Sequence, residues 1–154
     1  MAVLKIRKAG DKVLKEIAIP VTRIDKRIRR LLDDMGQTMY AADGVGLAAP
    51  QVGLGLRIVV IDVGDGLIEL INPVIIKSEG ERVTKQEGCL SIPGVIGEVE
   101  RYAEVTVESL DRNGKKVRIA GKNLLAIALQ HEIDHLEGIL FIDRATALST
   151  QVQR

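Results

Sequence analysis

The sequence predicts an α+β domain on three observations: a helical apolar repeat near the N-terminus, a block of strands in the middle, and a second helical stripe near the C-terminus. Ile24, Ile28, Leu31, Leu32, Met35 and Met39 recur at helical spacing with charged residues between them. Thr22 is the expected N-cap of this N-terminal amphipathic helix, and Asp43-Gly44 its stop. Strands are expected over 56–62, 68–76, 82–87 and 98–110. Asp111-Arg112-Asn113-Gly114 is a hairpin turn signal returning into a strand over 115–119. A second helix should begin near Asn123, as N-cap, and stop at Gly138. Leu124, Ala128, His131 and His135 fall at i, i+4, i+7 and i+11 along it, on one face. The last residues, about 147–154, are expected to fray.

A length of 154 residues suits one domain, 1–154, with no repeat or linker to divide it. Apolar residues make up 46% of the chain, but there is no Trp, one Phe and two Tyr, so the core must be aliphatic. Lys plus Arg total 22 against 21 for Asp plus Glu, a net charge of +1. That balance makes no case for nucleic acid or an anionic membrane as partner. The run Lys26-Arg27-Arg29-Arg30 reads as the solvated face of a helix. The first eight residues alternate apolar and basic, unlike a signal peptide. The apolar runs at 58–61 and 124–129 are too short to span a bilayer. A single cysteine forms no internal disulfide, so a soluble cytoplasmic protein is the expectation.

His131-Glu132-Ile133-Asp134-His135 is an HExxH pattern. Residues four apart share a helix face, so both imidazoles can reach one metal ion. Glu132 is offset by one residue, suited to take a proton from a metal-bound water rather than to ligate. A bare five-residue match also arises by chance, with both rings packed or exposed. Here the chain holds only two histidines, and both continue an apolar stripe. A metal accounts for two core-facing imidazoles better than two unpaired polar rings would.

Two histidines need a further ligand. Gly138 fits the start of HExxHxxGxxH, but the position for a third histidine is Phe141. Downstream only Glu137 and Asp143 carry carboxylates, so metzincin and thermolysin-like ligand sets fail. Upstream stands Cys89, the only cysteine, in Glu87-Gly88-Cys89-Leu90-Ser91 at the end of an expected strand. A lone cysteine is more often a small buried hydrophobe. With His131 and His135, however, it leaves a fourth position open, as catalytic sites do. Fe(II), Zn(II), Ni(II) and Co(II) all suit one thiolate and two imidazoles.

The segment GVGLAAPQ at 44–51 contains G-x-G-x-x-A, yet it follows a helix and meets Pro50, so it is not a dinucleotide turn. Its glycines suit a turn or a close backbone approach. Gln51 can donate an N–H to a developing oxyanion.

In order, GVGLAAPQ at 44–51, EGCLS at 87–91 and QHEIDH at 130–135 resemble the three signature motifs of the peptide deformylase family. The stretch Glu98-Val99-Glu100-Arg101 and the 111–114 hairpin extend the likeness over about 3–145. The resemblance implies antiparallel β-sheets packed around a central helix carrying HExxH, and one divalent metal ion, usually Fe(II). It implies Cys89, His131 and His135 as ligands and Glu132 as general acid/base. Gln51 and the Leu90 N–H would hold the oxyanion. Val45, Gly46, Ile127 and Ala128 match positions that hold peptide backbone or line a methionine pocket. Glu87 and Arg101 match polar positions near the site, where an ordinary ion pair is the commoner fate.

The reaction implied is hydrolysis of the formyl group from N-formylmethionyl peptides of newly synthesised proteins: a metal-bound water, deprotonated by Glu132, attacks the formyl carbon and formate leaves. The partners implied are formylated nascent polypeptides and the ribosome, for a cytoplasmic monomer. Many bacterial members continue into a longer terminal helix, a departure that touches terminal packing and ribosome association but no catalytic residue. Two rivals use the same residues: a peptidase or amidase on unformylated substrates, and a closed binding module with Glu87 as fourth ligand.

Overall fold

Six strands pair in the order β1 (Gly46–Ala48), β2 (Ile58–Ile61), β3 (Ile68–Cys89), β4 (Ile92–Leu110) and β5 (Lys116–Lys122), with β6 (Ala147–Thr150) also on β4. All five ladders are antiparallel. The structure, a computed structural model, describes residues 2–150. Beside the sheet lie α1 (Lys26–Ala41), α2 (Asn123–Leu136) and the short α3 (Phe141–Arg144).

Strand β2 explains the architecture. Its four residues are all fully buried, and alternate side chains leave opposite faces of a strand. Val59 and Ile61 pack with Leu70, Val105 and Val107 beneath Leu129, Ile133 and Leu136 of α2. Ile58 and Val60 pack with Leu32, Met35 and Met39 of α1. A strand covered on both faces reads as a continuous apolar run, which is why 58–61 shows no alternation.

Several boundaries differ from expectation. Helix α1 is capped by Asp25, whose carboxylate accepts from the Arg27 and Ile28 amides, not by Thr22. An anionic cap satisfies two orphan amides and meets the helix dipole. Asn123 is the first residue of α2 rather than its cap; it takes a positive φ of 54°, which asparagine tolerates. Strand β3 runs for 22 residues where two strands were expected. Register shifts carry it through, including one at Glu79/Arg82 beside Gly80, whose φ is 81°. The expected frayed tail begins instead as β6, where Ala147–Thr150 pairs with residues 95–98 of β4. The ladder supplies partners for the backbone groups that fraying would leave to water. Residues 151–154 lie outside the described residues.

The chain's beginning is tied to its middle. The Arg7 amide donates to the Gln51 carbonyl at 2.7 Å, and the Ala9 amide to the Ser91 carbonyl at 2.8 Å. Among the described residues no helix is long and apolar enough to cross a membrane.

Candidate functional site

Cys89 ends β3 and pairs with Ile92 of β4, so it stands at the tip of a long hairpin whose two-residue turn is Leu90-Ser91. His131, Glu132 and His135 stand on α2. The sheet and helix bring the three ligand-type atoms of Cys89, His131 and His135 within 4.8 Å of one another. Cys89 Sγ lies 3.4 Å from His135 Nε2. A sulfur and a nitrogen sharing one tetrahedral cation would stand about 3.5 Å apart, given metal–ligand bonds of about 2.3 and 2.0 Å.

The His131 ring is held from behind. His131 Nδ1 meets Glu87 Oε1 at 2.8 Å, which leaves Nε2 for the cluster. Arg101 grips Glu87 with two bonds, Nε to Oε2 at 2.8 Å and Nη2 to Oε1 at 2.9 Å. Both Glu87 oxygens are thus engaged away from the cluster, which disfavours Glu87 as a fourth ligand. Glu87 and Arg101 form a buried pair, not the ordinary surface pair that is the commoner fate. Gln130 ties α2 to β4, accepting from the Tyr102 amide and donating to its carbonyl. Phe141, where a third histidine was sought, is buried with its ring stacked on His131, 6.2 Å between centroids.

Burial and charge act against each other here. Burial pushes Glu132 up to about 7, against the opposing charges of His131 and Arg101. Burial would strip the charge from His131, but the carboxylate of Glu132, then Cys89 and Glu87, raise it to about 10. His135 is lowered by burial first, then by the positive charges of His131 and Arg101. Glu87 would be raised by burial, yet its bonds to Arg101 and His131 hold it near 2. Glu132 Oε1 is buried with no hydrogen-bond partner, and its residue lines the adjoining pocket. A thiol, two imidazole nitrogens and an unpartnered carboxylate oxygen fit a divalent cation with an open position.

The pocket encloses about 370 Å³. Of the expected site residues, Val45, Gly46, Gln51, Glu87, Cys89, Leu90, Ile127, Ala128, His131 and Glu132 all line it. His135 and Arg101 are not among its lining residues. The Gln51 amide is oriented by three contacts: Oε1 accepts from the Ala48 amide at 2.9 Å, and Nε2 reaches Ser91 Oγ at 3.1 Å and Cys89 Sγ at 3.4 Å. The 44–51 segment is β1 followed by a 3₁₀ turn over Ala49–Val52, and its close approach is real. A Cβ on Gly46 would sit 2.6 Å from Glu132 Oε2.

Residues 3–151 match the polypeptide deformylase family. The chain belongs to this family. It is 63% identical over 144 residues to a peptide deformylase of Acetivibrio thermocellus, covering 94% of this chain and 84% of that protein. It is 56% identical over 154 residues to one from Halothermothrix orenii, covering 99% of each. A crystal structure of the Synechococcus elongatus peptide deformylase in complex with actinonin superposes with a TM-score of 0.91 at 48% identity, over 94% of this chain and 79% of that one. The Thermotoga maritima structure gives 0.92 at 42% identity, over 94% and 99%.

Two residues near the cluster escaped the sequence reading. Ser91, fully buried, holds Gln51, and Asp134 accepts from Arg101 at 2.7 Å. Leu124, expected on the inward stripe, is half exposed at the pocket wall. Ser91 and Asp134 sit inside the motifs themselves, so their position beside Cys89, His131 and His135 was the available signal.

Proposed function

We propose that the chain is a metal-dependent hydrolase that removes the formyl group from N-formylmethionyl peptides of newly synthesised proteins and releases formate. The observation that carries this reading is the Cys89, His131 and His135 cluster with buried Glu132 beside it, at a pocket wall in a deformylase-family chain. Cys89, His131 and His135 would hold one divalent cation, Fe(II) natively, with Zn(II), Ni(II) or Co(II) as chemically suitable substitutes. When bound, the cation supplies Lewis acidity and makes water acidic enough to attack near neutral pH.

The chain's own residues do the rest. Glu132, buried beside the cluster, takes a proton from the attacking water and delivers it to the departing amine. The Gln51 Nε2 and the Leu90 N–H steady the oxygen of the formyl group as charge develops on it. Backbone at Val45 and Gly46 aligns the peptide, and Ile127 and Ala128 line the methionine side-chain pocket. Glu87, fixed by Arg101, accepts from His131 Nδ1 and so presents Nε2 to the cation. Helix α2, carrying HExxH, is the central catalytic element, and the amphipathic α1 backs the sheet beneath it. One catalytic domain, a monomeric state, a cytoplasmic location and encounter with chains at the ribosome complete the proposal.

The test is formate release from a formyl-Met tripeptide by protein purified anaerobically with Fe(II), beside an unformylated control. Glu132→Gln should keep the metal and lose about 10²- to 10⁴-fold in turnover. Cys89→Ala should lose the metal itself. No formate from folded, metal-replete protein would overturn the proposal, and cleavage of the unformylated peptide would favour a peptidase.

A further inference from the structure

We propose that Asp134 and Arg144 are positioning residues for the cation site, acting on His131 through Arg101 and Glu87. The proposal rests on the reading of Cys89, His131 and His135 as ligands. Four ionised side chains and His131 form one unbroken chain of short polar contacts. His131 Nδ1 meets Glu87 Oε1 at 2.8 Å, and both Glu87 oxygens are held by Arg101. The third guanidinium nitrogen of Arg101, Nη1, donates to Asp134 Oδ2 at 2.7 Å. Asp134 is then gripped by Arg144, Nε to Oδ2 at 2.6 Å and Nη2 to Oδ1 at 3.1 Å.

Exposure rises along this chain. The side chains of Glu87 and Arg101 are 5% and 4% exposed, Asp134 15% and Arg144 46%. The inner pair therefore interacts in a poorly screened interior, while its outer partner faces water. Arg101 is shared between two carboxylates, and what one gains in its charge the other loses. Remove Asp134, and the whole guanidinium charge falls on Glu87, which then accepts more weakly from His131. The ring becomes a poorer donor to a cation. Remove Arg144, and Asp134 draws harder on Arg101. Glu87 is then freer to accept from His131, and the ring binds a cation more tightly. Direct electrostatics push the same way, since one change deletes an anion and the other a cation.

Opposite signs separate this role from a merely structural one. If the network only pinned α3 against α2, loosening either end would degrade the site in the same direction.

The experiment measures Zn(II) dissociation by competition with a chromophoric chelator, on the full chain, at a temperature where every variant is folded. Asp134→Asn should bind Zn(II) about 3- to 10-fold more weakly, one link beyond the effect expected of a direct partner to a ligand. Arg144→Met should bind about two- to threefold more tightly, the scale of a screened charge, and Arg144→Lys should match the wild type. Arg144→Met binding equally or more weakly, or Asp134→Asn binding equally or more tightly, would overturn the proposal. Should Asp134→Asn fail to fold, the sign for Arg144→Met decides alone. A wild-type chain that binds less than one Zn(II) would overturn the ligand reading, whereas normal wild-type binding with the wrong signs would overturn only this proposal.

Discussion

Replacing Gly46 with alanine should cripple turnover without touching any ligand. Its added Cβ would stand 2.6 Å from Oε2, 2.8 Å from Cγ and 2.9 Å from Cδ of Glu132. Ordinary carbon–carbon contacts open to about 3.5 Å, so the Cγ contact alone must widen by about 0.7 Å. Glu132 is only 4% exposed and packed on a helix, so its one open direction is the pocket, away from its seat beside the cluster. Strain must therefore be shared between a displaced carboxylate and a shifted β1. Misplacing a reacting group by about 1 Å lowers rate about 100-fold. Overpacking of this kind costs about 1–3 kcal/mol, which at about 2–4 °C per kcal/mol lowers the thermal midpoint by about 2–12 °C. The assay is steady-state formate release, with kcat and KM separated, beside thermal melts and metal content. The loss should fall mainly on kcat with metal retained. A variant whose kcat stays within about threefold of wild type, despite a lowered midpoint, would show that the exact seat of Glu132 is unimportant.

Two stability predictions follow from positions away from the reaction. Gly138 holds a φ of +74°, and a Cβ there would meet the Lys15 carbonyl oxygen at 2.5 Å, so Gly138→Ala should cost about 2–4 kcal/mol. Urea unfolding should show a lower midpoint at unchanged slope; an unshifted midpoint would refute the contact. Glu87 is held near 2 in the fold against an ordinary 4.5, so it stabilises the protein fully above about pH 4.5. That contribution, on the order of 3 kcal/mol, is lost as pH falls through about 2. Stability of chelator-treated wild type should therefore fall more steeply than that of Glu87→Gln between these limits, and parallel curves would count against the buried pair.

Much of the site could be read in the chain because its chemistry is sparse. The only two histidines share one helix turn, and the only cysteine lies in an expected strand end. The candidate ligand set therefore had few alternatives, and the structure gathers these three side chains. Less legible were features that depend on distant partners. Asp25 and Thr22 are both good caps by composition, and only the path of the preceding chain decides between them. Strand β6 carries no alternation and only Thr150 as a β-former; it exists because β4 offers an edge at 95–98. Strand β3 was divided in two by Gly80 and its charged neighbours, since a bulge and a turn look alike in sequence. Leu124 was placed inward by helical spacing, yet the pocket opens at that point and leaves it at the wall.

The strap formed by Arg7 and Ala9 has a consequence for how the site comes into being. Its two amides hold the carbonyls of Gln51 and Ser91, 44 and 82 positions further on, and Gln51 and Ser91 in turn hold each other. Closing loops of that length is entropically slow, and the nearer contacts form first. A refolding chain should thus assemble its hairpin and the 46-position approach of Cys89 to His135 before Ala9 closes the 82-position separation to Ser91. Recovery of metal affinity would run ahead of recovery of catalysis, and the interval between them would time the docking of the chain's first turn.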